Sequence, residues 1–411
     1  MTASRKGSDA FKLPGVVNLH SHAFQRGMAG LAERAGSGDD SFWTWRDVMY
    51  RFLDRLTPDD VEAIATMAYV EMLEAGYTRV VEFHYLHHDI DGRPYANIAE
   101  MAERIAAAAA STGIGLTLLP VLYAHGGFGG QPTAPGQRRF KNDVDQFLKL
   151  HDASAKAIAR VPGAVLGFAP HSLRAITFEQ LKVAKAAIAA GPIHIHVAEQ
   201  EKEVTDCLAW SSQRPVECLL DQAMIDARWC LIHATHMTPD EVTRVAASGA
   251  VVGLCPITEA NLGDGIFSCV DYRKAGGRFG IGTDSNVLIS LAEELRTLEY
   301  GQRLRDHRRN RLAGSGQSIG RTLFDAALAG GLQAAGLSAT PADHVLLDPT
   351  RVEFAGRAND DILDAWIFAS GRPLISQVTV NDRRVVEGGR HVIRDVAEPL
   401  FAKVMTRLAD A

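Results

Sequence analysis

Short apolar runs of strand length alternate with longer stretches of helical periodicity through most of the chain. The strand-like runs cover residues 15–20, 79–85, 115–122, 164–169, 192–197, 229–234, 250–254 and 277–283. Between them, Thr57-Pro58-Asp59-Asp60 opens an amphipathic stretch that closes at Gly76, and Thr238-Pro239-Asp240-Glu241 opens another that closes at Gly249. A hydroxyl N-cap followed by proline and acids starts a helix, and glycine stops one. Strands alternating with helices predict a parallel sheet. Eight such units match an α/β fold of the (β/α)8 TIM barrel type better than an open doubly wound sheet, and no G-x-G-x-x-G follows the first strand.

Beyond the eighth run the pattern changes. Residues 303–316, rich in Arg and Gly, predict a loop, and 321–336 predict a helix. Ala365-Trp366-Ile367-Phe368 and Gln377-Val378-Thr379-Val380, set between Asn-Asp, Gly-Arg and Gly-Gly turns, predict strands of a small β appendage. The expected organisation is a barrel over 14–336, a small β-rich domain from 1–13 with 337–394, and a C-terminal helix over 395–411 that packs back on the barrel.

A (β/α)8 barrel gathers its chemistry at the C-terminal ends of its strands. His20-Ser21-His22 ends the first run, and on an extended segment these two imidazoles share a side. His196 ends the fifth run, His233 the sixth, and Asp284 follows the eighth. Imidazole and carboxylate ligands with one open position suit a hydrolytic zinc or iron(II) ion, whose bound water ionises at about pH 7. His84, His87, His88, His125, His194 and His236 read as surface or packing histidines, although His194 shares the face of His196.

Composition narrows the function further. A net charge of −6, from 43 basic and 49 acidic residues, gives no field for a nucleic acid partner. The arginines of 303–311 read as a solvated loop or an oligomer contact. No apolar stretch approaches the roughly 20 residues that span a bilayer, and the first residues lack an apolar secretory segment, so no membrane partner is expected and the cytoplasm is the expected location. Cys207, Cys218, Cys230, Cys255 and Cys269 are odd in number without C-x-x-C spacing, and read as buried thiols of a reducing compartment.

With its ligands at these strand ends, the chain resembles the amidohydrolase superfamily over residues 14 to 336 and into the appendage. Binuclear members carry a carboxylated lysine or a glutamate after strand four, where this chain has Ala169-Pro170-His171. The resemblance therefore implies one divalent metal, Zn2+ with Fe2+ as the alternative, held by His20, His22, His196 and Asp284. His196-Val197-Ala198-Glu199 is similar to the deaminase branch, in which the glutamate relays protons to the departing nitrogen. Relatives usually place two or more strands of the small domain ahead of the barrel; here 19 residues precede His20, so that domain is expected almost wholly from the C-terminal half.

The closer resemblance is to the formimidoylglutamate deiminase family. It rests on Asn18-Leu19-His20-Ser21-His22-Ala23-Phe24-Gln25-Arg26, Phe42-Trp43-Thr44-Trp45-Arg46 and Glu82-Phe83-His84-Tyr85. It implies that Gln25, Arg46, Tyr85, His171 and Arg174 hold N-formimidoyl-L-glutamate, a dicarboxylate suited to guanidinium forks. It also implies the chemistry: hydroxide on the metal attacks the formimino carbon, and ammonia leaves N-formyl-L-glutamate behind, a step of histidine degradation. Glu199 protonates the imino nitrogen, His233 orients the hydroxide and stabilises charge, and Asp284 takes the proton of the water. The division of proton work between Asp284 and His233 stays open. Family members are commonly dimers, so a homodimer is expected. The rival within catalysis is a deaminase of a ring amine such as guanine, cytosine or an adenosine derivative, which shares the metal and Glu199 but needs stacking surfaces in place of two arginines. A non-catalytic barrel is the rival outside it, and such a scaffold needs no open metal site.

Overall fold

Val, Ile and Leu crowd the strand runs because a parallel sheet jacketed by helices is buried on both faces. The computed structural model describes residues 11–35, 38, 40–338 and 342–409. Its first ten strands are β1 (Lys12–Pro14), β2 (Val16–Ser21), β3 (Tyr77–His84), β4 (Gly115–Leu122), β5 (Val165–Leu166), β6 (Ala169–Pro170), β7 (Ile193–Val197), β8 (Trp229–His233), β9 (Val251–Leu254) and β10 (Arg278–Ile281). After them come β11 (His344–Leu347), β12 (Ile375–Val380), β13 (Arg383–Glu387) and β14 (Arg390–His391).

Two parallel groups make the barrel wall. One runs β2-β3-β4-β5 with β6 beside β4, and the other β7-β8-β9-β10. Isolated parallel bridges join them at both seams, Phe168 to Ile193 and Ser21 to Asp284, and close the circle. The fourth barrel strand, expected unbroken over 164–169, is split into β5 and β6. Its chain changes partner in between: the Gly167 N–H donates to the Leu118 carbonyl at 3.0 Å, and the Phe168 N–H to the Pro192 carbonyl at 3.1 Å. A Cβ on Gly167 would stand 2.3 Å from that Pro192 oxygen, so only glycine permits the approach.

The helix starts follow the expected chemistry. Thr57 accepts the Asp60 N–H and Asp60 returns a bond to the Thr57 N–H at 2.8 Å, opening helix Pro58–Glu74, which stops ahead of Gly76 at φ 100°. Thr238 and Glu241 repeat the arrangement for helix Pro239–Ser248, closed by Gly249 at φ 78°.

The small sheet is antiparallel in the order β1-β11-β12-β13-β14, so one short N-terminal strand joins four from the C-terminal part. Residues 1–10 of the expected N-terminal contribution lie outside the described residues. Helix Arg394–Ala409 packs back on the barrel helix Pro58–Glu74, where Ala397 and Phe401 meet Met67 and Val70.

Two further expectations fail. Ala365-Trp366-Ile367-Phe368 is the end of helix Asp360–Phe368, not a strand; Ile362, Leu363, Ala365, Trp366 and Ile367 are buried, and Trp366 meets Phe324 of helix Ile319–Ala334. Four consecutive apolar residues do not distinguish a buried strand from a buried helix face. Arg303 to Asp306, expected in a loop, form the last turn of helix Leu291–Asp306. Their charge is matched internally, Arg303 on Glu299 and both Arg305 and Arg311 on Asp306, each at 2.7 Å.

Candidate active site

The two histidines closing β2 converge on one oxygen: His20 Nε2 and His22 Nε2 lie 3.4 and 3.3 Å from Asp284 Oδ1. From β7, His196 Nε2 approaches His20 Nε2 to 3.1 Å. Ligand atoms of His20, His22, His196 and Asp284 all lie within 4.8 Å of one another. Backbone carbonyls set the tautomers, since His22 Nδ1 donates to Phe83 O at 2.9 Å and His196 Nδ1 to His171 O at 3.1 Å. A carbonyl only accepts, so each ring proton sits on Nδ1 and each Nε2 turns a lone pair inward.

Burial lowers the His20 pKa to about 4 and that of His22 to about 3, and pushes His196 well down, so all three are neutral near pH 7. Burial alone would raise Asp284, but its close contact with His20 and the influence of His22 and His233 outweigh it and hold the carboxyl far below its usual range. Three nitrogen lone pairs and one carboxylate oxygen fit a divalent transition metal. The frame beneath them is tight. Asp284 N donates to His20 O and His22 N to Asp284 O, both at 2.9 Å, while a Cβ on Gly282 would sit 2.8 Å from the His20 backbone.

Glu199 and His233 stand beside this cluster. Glu199 Oε1 and Asp284 Oδ2 each lie 3.7 Å from His233 Nε2, and His233 Nδ1 faces Glu259 Oε1 at 3.2 Å. Burial would lower His233, yet Glu199, Glu259 and Asp284 together raise it to about 10. Burial raises Glu199 to about 7, where a carboxyl can give and take a proton near neutrality.

A cavity opens over these groups. It is lined by Gln25, Arg46, Tyr85, His171, Arg174, Glu199, His233, His22, His196 and Asp284; of the predicted residues only His20 lies behind the wall. Gln25 Nε2 donates to Tyr85 Oη at 2.8 Å. The two guanidiniums flank one indole, Arg46 at 4.5 Å and Arg174 at 5.8 Å from the Trp43 ring centre. The Nε atoms of Arg46 and Arg174 are buried and have no hydrogen-bond partner in the protein, and Gln25 Oε1 and His233 Nε2 share that state. Four residues that line one cavity and each carry an unmatched polar atom mark where a polar molecule binds.

The histidines set aside in the sequence analysis are buried or half-buried away from the ligand cluster. His87, His88 and His194 are buried and face the carbonyls of Val121, Lys141 and Ala334, so His194 takes no part beside His196. His84 is buried without a partner, while His125 and His236 are half-buried. All five cysteines are free and buried. Sequence reasoning missed Glu203 and Glu259, both buried, and Tyr123, Tyr50 and Gln137 of the cavity wall. The strand-end rule that found the ligands also picks out Tyr123, which directly follows β4. Nothing in the sequence marks Glu203 or Glu259, whose side-chain partners Arg174 and His233 belong to other segments.

A model of the amidohydrolase family matches residues 11–313. The formimidoylglutamate deiminase of Pseudomonas aeruginosa is 53% identical over 409 residues, taking in 97% of this chain and 89% of that protein. The chain belongs to the formimidoylglutamate deiminase family of amidohydrolases. An amidohydrolase from Brucella melitensis of known crystal structure is 55% identical, with a TM-score of 0.93 over 97% of this chain and 90% of that one. The zinc-bound crystal structure of an adenosine deaminase from Xanthomonas campestris, 20% identical with a TM-score of 0.79 over 97% of this chain and 86% of that one, shares the fold alone. Within the family frame, the barrel with a small β domain is the expected architecture, and the His, His, His, Asp cluster occupies the C-terminal rim of its strands.

Proposed function

We propose that this protein hydrolyses N-formimidoyl-L-glutamate to N-formyl-L-glutamate and ammonia, with one zinc ion held by His20, His22, His196 and Asp284. The reading is carried by two arginines, Arg46 and Arg174, that line the same cavity as the ligand cluster and whose Nε atoms have no hydrogen-bond partner in the protein. A cavity with two such guanidiniums favours a substrate bearing two carboxylates. The 53% identity to a formimidoylglutamate deiminase supports the same substrate.

A divalent metal in this donor set supplies a water ionised near neutral pH. Arg46 and Arg174 bind the carboxylates, and Gln25, Tyr85 and His171 fix the chain between them. Asp284 takes the proton of the water as its oxygen bonds to the formimino carbon. His233, positively charged beside three carboxylates, orients that oxygen and stabilises negative charge developing at the reacting centre. Glu199 passes a proton to the imino nitrogen and recovers one from the new hydroxyl group as the carbonyl forms, and the proton held by Asp284 completes the amine, so the nitrogen leaves as ammonia when the C–N bond breaks.

Cytoplasmic location and a homodimer belong to this proposal. Among the described residues no helix is long and apolar enough to cross a membrane. The experiment is ammonia release by zinc-loaded protein from N-formimidoyl-L-glutamate, with guanine alongside, and with metal content and sedimentation measured on the same sample. Turnover of the linear substrate alone, at one metal per chain, is the expected result. Turnover of guanine in its place refutes the substrate, and reconstitution with Fe2+ that outperforms Zn2+ refutes the metal.

A further inference from the structure

Glu203 lies outside the cavity wall, with a fully buried carboxylate. From the third position of helix Glu201–Ser211 it reaches back over the strand end. Its Oε1 accepts the Ala198 N–H at 3.3 Å and its Oε2 the Glu199 N–H at 3.2 Å. The same Oε2 faces Arg174 Nη2 at 4.0 Å. One oxygen atom thus meets both the backbone of the proton-relaying residue and the guanidinium of a carboxylate-binding one.

The local backbone makes this contact consequential. Ala198 has φ 50°, a left-handed conformation that is unfavourable for a residue with a Cβ and persists only where its surroundings enforce it. That bend aims Glu199 over the barrel mouth instead of along the alternation of β7. The charge-assisted bonds of Glu203 hold it. Arg174 needs the same carboxylate, because among the described residues Glu203 is the one acid within ion-pairing reach of its guanidinium.

We propose that Glu203 is a positioning residue that couples carboxylate recognition at Arg174 to the placement of Glu199. The inference rests on the reading of Arg174 as a substrate-binding group and of Glu199 as the proton relay. A helix-capping role alone makes a different prediction, since a cap contributes to stability without regard to Arg174.

The test is a double-variant cycle of Glu203→Gln and Arg174→Gln, scored by kcat, by metal content and by the Kd for glutarate, a dicarboxylate without the reacting group. Glu203→Gln is expected to keep its metal, lower kcat by about 10- to 100-fold and weaken glutarate about tenfold. In the Arg174→Gln background it should still lower kcat but weaken glutarate no further. Effects on glutarate that multiply in the double variant overturn the coupling, as does a kcat within about twofold of wild type. Should Glu203→Gln fail to fold, Glu203→Asp decides: it keeps the charge near Arg174 and withdraws it from the two N–H groups, so kcat should fall while glutarate binding stays. Equal losses in both overturn the proposal. Wild-type protein that binds glutarate yet releases no ammonia refutes the deiminase reading instead, and the glutarate cycle alone then decides the link between Glu203 and Arg174.

Discussion

Replacing Glu199 with Gln keeps the shape of the side chain and removes its proton chemistry. Glu199 is not among the four clustered ligands, so metal content should be unchanged. A positioned acid or base contributes about 10²- to 10⁴-fold, or about 3 to 5 kcal/mol of barrier, and kcat should fall by that much. A second consequence follows from the 3.7 Å between Glu199 Oε1 and His233 Nε2. Unit charges at that separation, at an effective dielectric of about 20, attract by about 4.5 kcal/mol, or about three pKa units. His233, raised to about 10 by Glu199, Glu259 and Asp284 against its burial, should then titrate near neutrality in the variant. The pH dependence of the residual activity near 7 should then report His233, where that of the wild type reports Glu199. The assay is steady-state ammonia release from pH 5.5 to 9 with metal analysis at each point. Loss of metal in parallel with activity would make Glu199 a ligand and refute the reasoning. A kcat loss below about tenfold would refute the proton role.

Three further outcomes are expected. Arg46→Gln and Arg174→Gln should each raise KM by about 10- to 100-fold through loss of a charge-assisted bond, with a smaller change in kcat; an unchanged KM in both removes them from substrate binding. Chelation should abolish turnover and lower the melting temperature, and the metal-free protein should lose stability as pH falls from 6.5 towards about 4, because the unfolded chain takes up protons there that buried His20 and His22 refuse; a flat urea midpoint across that window contradicts this. Glu259→Gln should lower kcat while metal is retained, since it weakens the contact that holds His233 Nδ1 at 3.2 Å; metal loss in step with activity argues against it.

Much of the site was legible because two simple periodicities determine it. Strand alternation puts His20 and His22 on one side, and the barrel rule puts the residues after β2, β7, β8 and β10 at one rim. The acids that tune the site were not legible. Glu203 and Glu259 sit on helices that ordinary amphipathic patterns explain, and their work depends on neighbours such as Arg174 and His233 that only folding brings near. The split of the fourth strand was hidden for a related reason, since a change of pairing partner at Gly167 leaves the apolar run unbroken. At Ala365–Phe368 four apolar residues in a row carry no period, and tertiary packing on Phe324 selected the helix.

Strain at the rim connects the fold to the chemistry. Ala198, His233, Ala234, Asp284 and Asn286 all have φ between 46° and 66°, and all lie at or just beyond the ends of β7, β8 and β10. At about 1 kcal/mol each, less for Asp and Asn, such residues together cost an amount comparable with a sizeable part of the stability of an ordinary domain. The offset is local and visible. Ala234 N donates to Val197 O at 3.0 Å, His236 N to Ala198 O at 3.1 Å, and the paired bonds between Asp284 and the β2 end fasten the opposite seam. Each left-handed residue turns the chain sharply where strand alternation would have carried the next side chain outward. The bends therefore bring Glu199, His233 and Asp284 to bear on a single point, and the cross-strand bonds that tolerate them also close the barrel. A substitution that relaxes one of these bends without touching a ligand should leave the fold intact and still misplace the groups that act on substrate.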